Sequence, residues 1–460
     1  MYDDAKTQNK LVAQVKPKYR SYTLQNFKTL PQFRENFTDE QLFEMEVVGH
    51  VLPFKSNNYY VEEIIDWNKA PDDPLFHLTF PSRDMLLPHH YDKMESAIKA
   101  GLPKEQIREI ANKIRMDLNP HPAGQIDYNI PVLNEEVKLD GMQHKYRETM
   151  LFFPKQGQTC HAYCTFCFRW PQFVGLDDLK FATKDIELVI KYLRESPNVS
   201  DVLFTGGDPM VMSGKILSNY INALLDANIP TLKTIRIGTK VLSWWPYKFL
   251  TDPYADSVLR TFERVRRSGK HLAFMAQFNH TRELQTDAVR HAIDRLMNAG
   301  VVIRAQSPLF RHINDSAEVW RDMWREEVRL GVVPYYMFMA RDTGAHHYFS
   351  VPLHEAWNIF RSAYSQVSGV GRTARGPVMS AAPGKVQLLG VSEIRGEKVF
   401  VLRFIQGRNP EWADVPFFAE YDESAHWLND LRPAFGEEKF FYEDELTEIY
   451  REKSELLAKF

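Results

Sequence analysis

The sequence predicts an α/β fold built around a parallel β-sheet that closes fully or partly into a barrel. Two observations predict it. From about Glu148 onward, short apolar runs typical of buried strands alternate with amphipathic segments of helical period. The 44% share of hydrophobic residues is also too large for a disordered chain. Strands that alternate with helices join in right-handed units, and chemistry collects where those strands end.

Six apolar runs are the predicted strands of the barrel, and the segments between them are the predicted helices. The strands lie at residues 150–153, 201–205, 234–238, 272–278, 301–306 and 334–339. The helices lie at residues 184–194, 216–227, 257–268, 286–299 and 317–330. Because a helix separates each pair of later strands, we expect these strands to run parallel.

The barrel, at residues 142–368, is expected to lie between two other units. Residues 1–141 contain helical stretches separated by proline-rich turns, and they predict a mainly helical N-terminal domain. Residues 369–460 contain GRTARGPVMSAAPGKVQLLG and KVFVLRFIQG, which predict a small α+β extension. A terminal helix is expected from about Glu437.

Charge and hydropathy exclude several classes of protein. The 57 basic and 60 acidic side chains give a net charge of −3, so no basic field marks a protein that binds nucleic acid or a membrane surface. The apolar stretches are far shorter than the roughly 20 residues that cross a bilayer. The first residues lack the apolar core and cleavage site of a signal peptide, so we expect a cytoplasmic protein.

All three cysteines lie close together, in the motif CHAYCTFC that begins at Cys160. An odd number of crowded cysteines in a protein that is not exported favours thiolates on a metal over disulfides. Cys160, Cys164 and Cys167 can hold three irons of a [4Fe-4S] cluster and leave the fourth iron open to a ligand that is not protein. The alternatives are a zinc site with His161 as the fourth ligand, and chance clustering.

The C-x3-C-x2-C motif after the first barrel strand resembles the radical S-adenosylmethionine (SAM) superfamily, in which SAM binds the open iron. More narrowly, the chain resembles the lysine 2,3-aminomutase family, which also uses pyridoxal phosphate (PLP). The resemblance spans residues 144–390. Its segments are HKYR at 144, CHAYCTFCFR at 160, TGGDP at 205, IRIGTK at 235, FNHTREL at 278, NAGVVIRAQSPLFRHIND at 298 and PYY at 334.

This resemblance implies a radical SAM partial (β/α)6 barrel with an N-terminal helical domain and a small C-terminal α+β extension. It also implies an isomerase that converts an α-amino acid into a β-amino acid, with a [4Fe-4S] cluster, SAM and PLP as cofactors. The expected partners are a reductant such as flavodoxin or ferredoxin and further copies of the chain in a homo-oligomer. Two alternatives stay open: a PLP-independent radical SAM enzyme acting on a peptide, protein or other small molecule, and a non-catalytic interaction protein stabilised by a metal.

Two segments resemble the parts of the family that contact SAM. Gly206, Gly207 and Asp208 follow the second predicted strand, where glycines let the backbone approach a ligand closely. In relatives this segment meets the amino group of SAM. Gln306, at the end of the fifth predicted strand, matches a family glutamine near SAM. The alternatives are a tight turn at the glycines and an ordinary polar strand end at Gln306.

Arg169, two residues after the last cysteine, matches the family arginine that binds the carboxylate of the substrate. Its planar guanidinium suits that task, and a structural ion pair is the alternative. Lys145, Tyr146 and Arg147 resemble the family's stretch that binds the phosphate of PLP. A solvated basic turn fits the same three residues.

Lys385, in the segment SAAPGKV, is expected to be the lysine that bonds covalently to PLP. Such an amine must be partly desolvated, and Pro383 and Gly384 leave backbone room around it. The family usually has a longer glycine run at this point. An ordinary surface lysine is therefore the alternative.

The side-chain end of the substrate is expected to meet two positions that hold aspartates in lysine-specific relatives. Here these positions carry Arg341 and Ala381, and neither can receive an ammonium group. A buried ammonium without partners is costly, so we expect an acidic or neutral substrate such as glutamate rather than lysine. Asp342 is adjacent, and a one-residue shift of the alignment would restore one carboxylate. His346 and His347 in the same loop either line the pocket or lie exposed.

Overall fold

The computed structural model describes residues 17–119, 127–174 and 181–460 and is a mixed α/β protein. Its strands are β1 (Ser21–Thr23), β2 (Lys55–Asn57), β3 (Val132–Leu133), β4 (Val137–Lys138), β5 (Met142–Tyr146), β6 (Thr149–Phe152), β7 (Asp201–Phe204), β8 (Thr234–Thr239), β9 (His271–Gln277), β10 (Val302–Pro308), β11 (Val333–Phe338), β12 (Arg375–Ser380), β13 (Gly384–Ile394), β14 (Glu397–Gly407) and β15 (Pro416–Glu420). Its α-helices are α1 (Pro31–Asn36), α2 (Asp39–Val51), α3 (Pro74–Thr79), α4 (Pro88–Lys99), α5 (Lys104–Asp117), α6 (Ile186–Glu195), α7 (Gly214–Asp226), α8 (Val241–Trp244), α9 (Ala255–Arg267), α10 (Asp287–Asn298), α11 (Ala317–Arg329), α12 (His346–Phe349), α13 (Leu353–Ser365) and α14 (Glu443–Leu457).

Strands β5 to β15 form one sheet, in the order β15–β14–β13–β12–β11–β10–β9–β8–β7–β6–β5. Strands β6 to β12 run parallel, whereas β5 is antiparallel to β6 and the neighbours from β12 to β15 pair antiparallel. The six predicted barrel strands are present as β6 to β11. The five predicted helices between them are present as α6, α7, α9, α10 and α11.

Burial alternates along the parallel strands and separates an apolar face of the sheet from a polar one. Val202 and Phe204 of β7 are buried, and the ring of Phe204 packs edge-on against Phe152 of β6 with centroids 5.2 Å apart. Because successive side chains of a strand point to opposite faces, Asp201 of β7 and Arg236 of β8 lie on the other face. The helices cover the apolar face, so the polar face is the one available to a ligand.

The sheet curls around this polar face. Lys145 of β5 donates a hydrogen bond from Nζ to the carbonyl oxygen of Ala381, in the turn between β12 and β13. The Nζ atom of Lys385 on β13 lies 5.4 Å from the ring centroid of Tyr146 on β5. These strands are distant in the order of the sheet, so the curl brings its two ends toward each other.

The terminal parts of the chain pack against the same core. Helix α2 begins with a capping box, in which Thr38 and Gln41 bond to each other's backbone N–H groups. Helix α14 stacks Tyr450 on Tyr128 at 4.3 Å, which confirms the predicted terminal helix. No helix in the described ranges is long and apolar enough to cross a membrane. The domain boundaries at residues 141 and 368 stay predictions.

Candidate active site

The three cysteines lie on the loop that follows β6, and all three are half-buried. The loop is tightly turned: the Cys167 N–H donates to the Cys164 carbonyl at 3.0 Å, and the Trp170 N–H donates to the Cys167 carbonyl at 3.0 Å. Burial raises the pKa of Cys160 well above its usual range, and the charges of Asp208, Cys167 and Cys164 raise it further. Three thiolates on this loop therefore need a positive centre between them, which the irons of a cluster supply.

The N-terminal region holds the cysteine loop in place. The Tyr163 N–H donates to the Lys55 carbonyl at 2.8 Å, which adds a β-bridge between the loop and β2. Lys55 Nζ donates to the Cys160 carbonyl at 2.7 Å, and the Tyr19 hydroxyl donates to the His161 carbonyl at 2.6 Å. The shape of the loop thus depends on residues more than one hundred positions earlier in the chain.

The zinc alternative required His161 to join the cysteines. Within the described ranges, no three His, Cys, Asp or Glu side chains converge on a position for one metal ion. Burial lowers the pKa of His161 to about 3, and its Nδ1 atom is buried without a hydrogen bond. A [4Fe-4S] cluster does not need such convergence, because each thiolate binds a different iron.

The predicted SAM segment packs directly against the cysteine loop. Gly206 has φ +136°, and a Cβ atom there would collide with the side chain of Gln158. A Cβ atom on Gly207 would lie 2.6 Å from the backbone nitrogen of Thr159, the residue before Cys160. Both positions therefore require glycine, and the loop after β7 and the cysteine loop form one packed unit.

The carboxylate of Asp208 accepts hydrogen bonds from neighbouring protein groups. Its carboxylate accepts hydrogen bonds from the Thr239 hydroxyl at 2.7 Å and from the backbone N–H groups of Lys240 and Met210 at 2.9 Å. Burial raises the pKa of Asp208 to about 6, although these hydrogen bonds lower it in part. Asp208 consequently fixes the glycine turn to the end of β8.

Gln306 lies on the polar face of β10, half-buried, between Gln277 of β9 and Tyr336 of β11 in the strand register. This position is compatible with contact to a ligand, and nothing in the geometry assigns the ligand. At the next residue, Ser307 joins a buried polar cluster by accepting a hydrogen bond from Asn279 Nδ2 at 2.8 Å. The predicted strand end is therefore part of a polar layer.

A buried ion pair near the cysteines was not predicted from the sequence. Lys240 Nζ donates to Glu283 Oε1 at 2.7 Å, and the same carboxylate accepts from the Tyr60 hydroxyl at 3.1 Å. The charges of Lys240 and Glu283 act on Cys164 in opposite directions: Lys240 lowers the pKa of this thiol and Glu283 raises it. The segments IRIGTK and FNHTREL contained part of the signal, because Lys240 directly follows β8 and Glu283 lies in the loop after β9.

Arg169 and Arg341 approach each other across the ring of Phe168. The Cζ atom of Arg169 lies 5.2 Å from the ring centroid of Phe168, and that of Arg341 lies 4.8 Å from it. Burial lowers the pKa of Arg169 to about 10, and the positive charge of Arg341 lowers it further, while Cys167 raises it. Among the described residues no carboxylate lies within ion-pair distance of Arg169, so the structural ion pair considered above is absent there.

The loop after β11 places the other predicted substrate residues. Arg341 donates to the Ser380 carbonyl at 2.8 Å; burial lowers the pKa of Arg341, and the charge of Asp342 raises it in part. His347 is exposed and bonds through Nε2 to the Asp84 carbonyl at 2.9 Å. His346 is half-buried, and burial lowers the pKa of its imidazole.

Lys385 occupies the polar face at the other end of this site. Its Nζ donates to Gln406 Oε1 at 2.9 Å and lies 5.2 Å from the ring centroid of Tyr336. Burial lowers the pKa of Lys385 to about 7, with further lowering by Arg236 and partial compensation by Asp201. An amine of this kind is partly neutral near pH 7 and can attack an aldehyde carbon.

A β-bulge lets two consecutive residues of β5 reach this region. The register with β6 shifts between His144 and Tyr146, so Lys145 is the extra residue and its side chain need not point away from that of Tyr146. Burial lowers the pKa of Lys145 well below its usual range, and the charges of Arg408, Arg341 and Lys385 add to this effect. The hydroxyl of Tyr146 is buried and has no hydrogen bond within 3.5 Å among the described residues, although Ser380 is near enough to lower its pKa in part.

Arg147 does not join Lys145 and Tyr146. It is exposed in the turn between β5 and β6, and its guanidinium donates to Asn198 Oδ1 at 3.3 Å. Arg408, which follows β14, lies there instead: its charge acts on both Lys145 and Tyr146. Sequence reasoning missed Arg408 because no local pattern connects this loop to β5.

Five cations are thus linked through their charges, since Arg408, Arg341 and Lys385 act on Lys145, and Arg341 acts on Arg169. Asp201 is paired with Arg236, whose Nε donates to its Oδ1 at 2.9 Å. Cations that lose hydration by burial need anions as partners. The site therefore fits ligands that carry phosphate or carboxylate groups.

Several known proteins that are similar to this chain are named as 2,3-aminomutases. No family model matches the chain. It is 29% identical over 409 residues to a putative L-lysine 2,3-aminomutase of Aquifex aeolicus, covering 89% of this chain and 95% of that protein. It is 26% identical over 331 residues to the L-lysine 2,3-aminomutase of Bacillus subtilis, covering 68% of this chain and 65% of that protein. It is 24% identical over 337 residues to the glutamate 2,3-aminomutase of Clostridioides difficile, covering 68% of this chain and 77% of that protein.

These similarities extend over most of the chain, and the site has the cysteine loop, the glycine turn and the ordered set of segments from which the resemblance was drawn. Enzymes with these names are aminomutases, which are isomerases. Over most of its length the chain is thus similar to enzymes of the lysine 2,3-aminomutase family, and it is an isomerase of the aminomutase class.

Proposed function

We propose that the protein is a radical SAM and PLP-dependent 2,3-aminomutase that converts an acidic α-amino acid, glutamate first, into the β-amino acid. One observation carries the proposal: the guanidinium groups of Arg169 and Arg341 approach one ring, and Arg341 and the half-buried Lys385, whose pKa is lowered, both act on Lys145. An acidic amino acid has two carboxylates and one amine, and the site has one partner for each.

Cys160, Cys164 and Cys167 would hold the [4Fe-4S] cluster, and the turn at Gly206 and Gly207 would admit the amino group of SAM. When bound, the cluster and SAM supply a radical that takes a hydrogen atom from the substrate, and PLP supplies the electron delocalisation through which nitrogen migrates. The mutual effect of the three thiols on their pKa values supports a cationic cluster at this place.

Lys385 would hold the aldehyde carbon of PLP. Lys145, the Tyr146 hydroxyl and Arg408 would bind its phosphate, because two cations and a buried hydroxyl without a hydrogen bond suit an anion with several acceptor oxygens. The predicted contribution of Arg147 to the phosphate site is not supported by its exposed position. Arg408 replaces it in this proposal.

Arg169 would bind the α-carboxylate and Arg341 the side-chain carboxylate. Ala381 is buried and apolar, so it offers nothing to an ammonium group. Arg341 would repel the distal ammonium of lysine, and leaving that group without a partner costs several kcal/mol. The name of the glutamate 2,3-aminomutase among the relatives agrees with this choice.

The fold proposed for this chemistry is the partial (β/α)6 barrel of β6 to β11. The contacts of β5 with the turn after β12 support it, since they narrow the gap between the ends of the curled sheet. Such a barrel keeps water from a carbon radical, which would otherwise be quenched. The three-part division at residues 141 and 368 belongs to the same proposal.

The test is anaerobic turnover with SAM, PLP and dithionite over all twenty amino acids, scored for β-amino products. We expect the largest rate with glutamate and little product from lysine. Borohydride reduction with PLP should place a pyridoxyl group on Lys385 and none on Lys398, an exposed lysine of β14. Absence of an adduct on Lys385 would leave a PLP-independent radical SAM enzyme as the better assignment.

A further inference from the structure

Phe168 is a large apolar side chain that remains 45% exposed. It lies between Cys167 and Arg169 in the sequence, on the cysteine loop. The guanidinium groups of Arg169 and Arg341 both approach its ring, at 5.2 and 4.8 Å from the centroid. Because both distances end at the same centroid, the Cζ atoms of Arg169 and Arg341 cannot be farther apart than the sum of the two distances.

The position of the ring relative to both arginines is fixed by the loops around it. Arg169 also lies over the ring of Phe153, at 4.6 Å from its centroid. Trp170 Nε1 donates to Thr343 Oγ1 at 3.1 Å, and a Cβ atom on Gly344 would lie 3.2 Å from the same nitrogen. The loop that carries Arg169 and the loop that carries Arg341 are therefore in contact beside Phe168.

Two guanidinium groups that approach the same ring carry like charges and repel each other. The face of an aromatic ring carries negative partial charge and attracts a cation within about 6 Å. A ring that contacts both groups offsets part of their repulsion and limits how near they come. The exposed part of the ring is free to contact the methylene groups of a ligand.

We propose that Phe168 is a positioning residue that sets the spacing of the two arginines and thereby selects the chain length of a dicarboxylic substrate. This inference rests on the proposed function, in which each arginine binds one carboxylate. Glutamate has three carbons between its carboxyl groups and aspartate has two, so a fixed spacing discriminates between them. The ring acts through Arg169 and Arg341 and takes no part in bond breaking.

The test compares Phe168→Leu with Phe168→Tyr and with Phe441→Leu, a control at another exposed phenylalanine, 47% exposed. We expect Phe168→Leu to raise KM for glutamate about 5- to 30-fold, because both cation–π contacts are lost, while kcat changes less. The ratio of kcat/KM for glutamate to that for aspartate should fall. Phe168→Tyr retains a ring face and should retain both values, as should Phe441→Leu.

Iron content and SAM cleavage without substrate are measured on every variant, because Phe168 is next to a cysteine. If Phe168→Leu loses iron, Phe168→Met, which fills the volume without a ring, takes its place. An unchanged KM and an unchanged glutamate to aspartate ratio in an iron-replete variant would overturn the inference and leave the proposed function intact. If the wild-type enzyme acts on no dicarboxylic amino acid, the proposed function fails first and the inference falls with it.

Discussion

The two ends of the site differ in how their charges are balanced. At the cysteine end, the Lys240 ammonium is paired with the Glu283 carboxylate, and Asp208 accepts hydrogen bonds from its own protein. At the lysine end, Lys145 and Lys385 are half-buried cations, and within the described part of the chain they donate to a carbonyl and an amide rather than to a carboxylate. The charges at the first end are thus balanced within the protein, whereas those at the second end are not, which agrees with the anionic ligand proposed there.

The largest expected effect is a loss of iron at the cysteine end with no loss of PLP binding at the lysine end. Cys164→Ala should lose iron and lower aminomutase activity below detection, because three thiolates are needed to hold the cluster. The same variant should still form the reduced pyridoxyl adduct on Lys385, since that end does not depend on iron. Iron analysis and mass spectrometry check both statements. Loss of the adduct together with iron would show that the ends are not independent.

The converse variant changes the lysine end alone. Lys385→Met should lower aminomutase activity about 10³-fold or more, because the covalent attachment of the aldehyde is lost. Iron content and SAM cleavage in the absence of amino acid should stay at wild-type values. A matched Lys398→Met variant, on the exposed side of β14, should retain full activity. Loss of iron from Lys385→Met would contradict the separation of the ends.

A smaller effect concerns the unbalanced cations. Inorganic phosphate at about 100 times its Kd should raise the Tm of the PLP-free enzyme by about 2–4 °C over chloride of equal ionic strength. Lys145→Met should remove most of this increment, because one buried cation is gone. Arg147→Met should leave it unchanged, because that side chain is exposed in the β5–β6 turn. If both variants lost the phosphate-induced increase in Tm equally, Arg147 would have to be counted among the residues that bind phosphate.

The smallest effect is on the pH dependence of stability. The pKa of Lys385 is lowered from 10.5 to about 7 in the folded protein, so between these values the unfolded chain binds more protons than the folded one. The free energy of unfolding must then rise with pH across this window, and below about 7 the contribution is constant and at its most unfavourable. Urea unfolding of Lys385→Met, without PLP, should show a flatter rise from pH 7 to 10 than the wild type. An identical slope would mean that Lys385 is not desolvated.

Local patterns predicted the fold well because the periods of strands and helices differ. The runs that became β6 to β11 were found within one or two residues at most ends, since apolar runs and amphipathic helices are local features. Strand β12 was assigned to the C-terminal extension and was not among the six predicted barrel strands. Its sequence, RGPVMS, begins with Arg and contains Pro377, and it joins the sheet through its pairing with β11 and β13.

The roles of the site residues stay predictions, and the sequence could name candidates only where they lie within one segment. The cysteines, Arg169 and Arg341 were named from motifs, and the structure places both arginines around one ring. The segment HKYR suggested Arg147, but the strand turns just before it and directs it to solvent. Arg408, to which we assign that role in the proposed function, lies near β5 because the sheet brings the end of β14 there, and no local pattern encodes this proximity.

The β-bridge between Lys55 and Tyr163 has a consequence for how the protein matures. The cysteine segment completes its backbone pairing only after β2 has docked, although all three cysteines are already present in the nascent chain. Loading of iron should therefore follow docking of the N-terminal region. Substitutions in that region that prevent docking should yield an iron-deficient enzyme whose cysteine motif is intact.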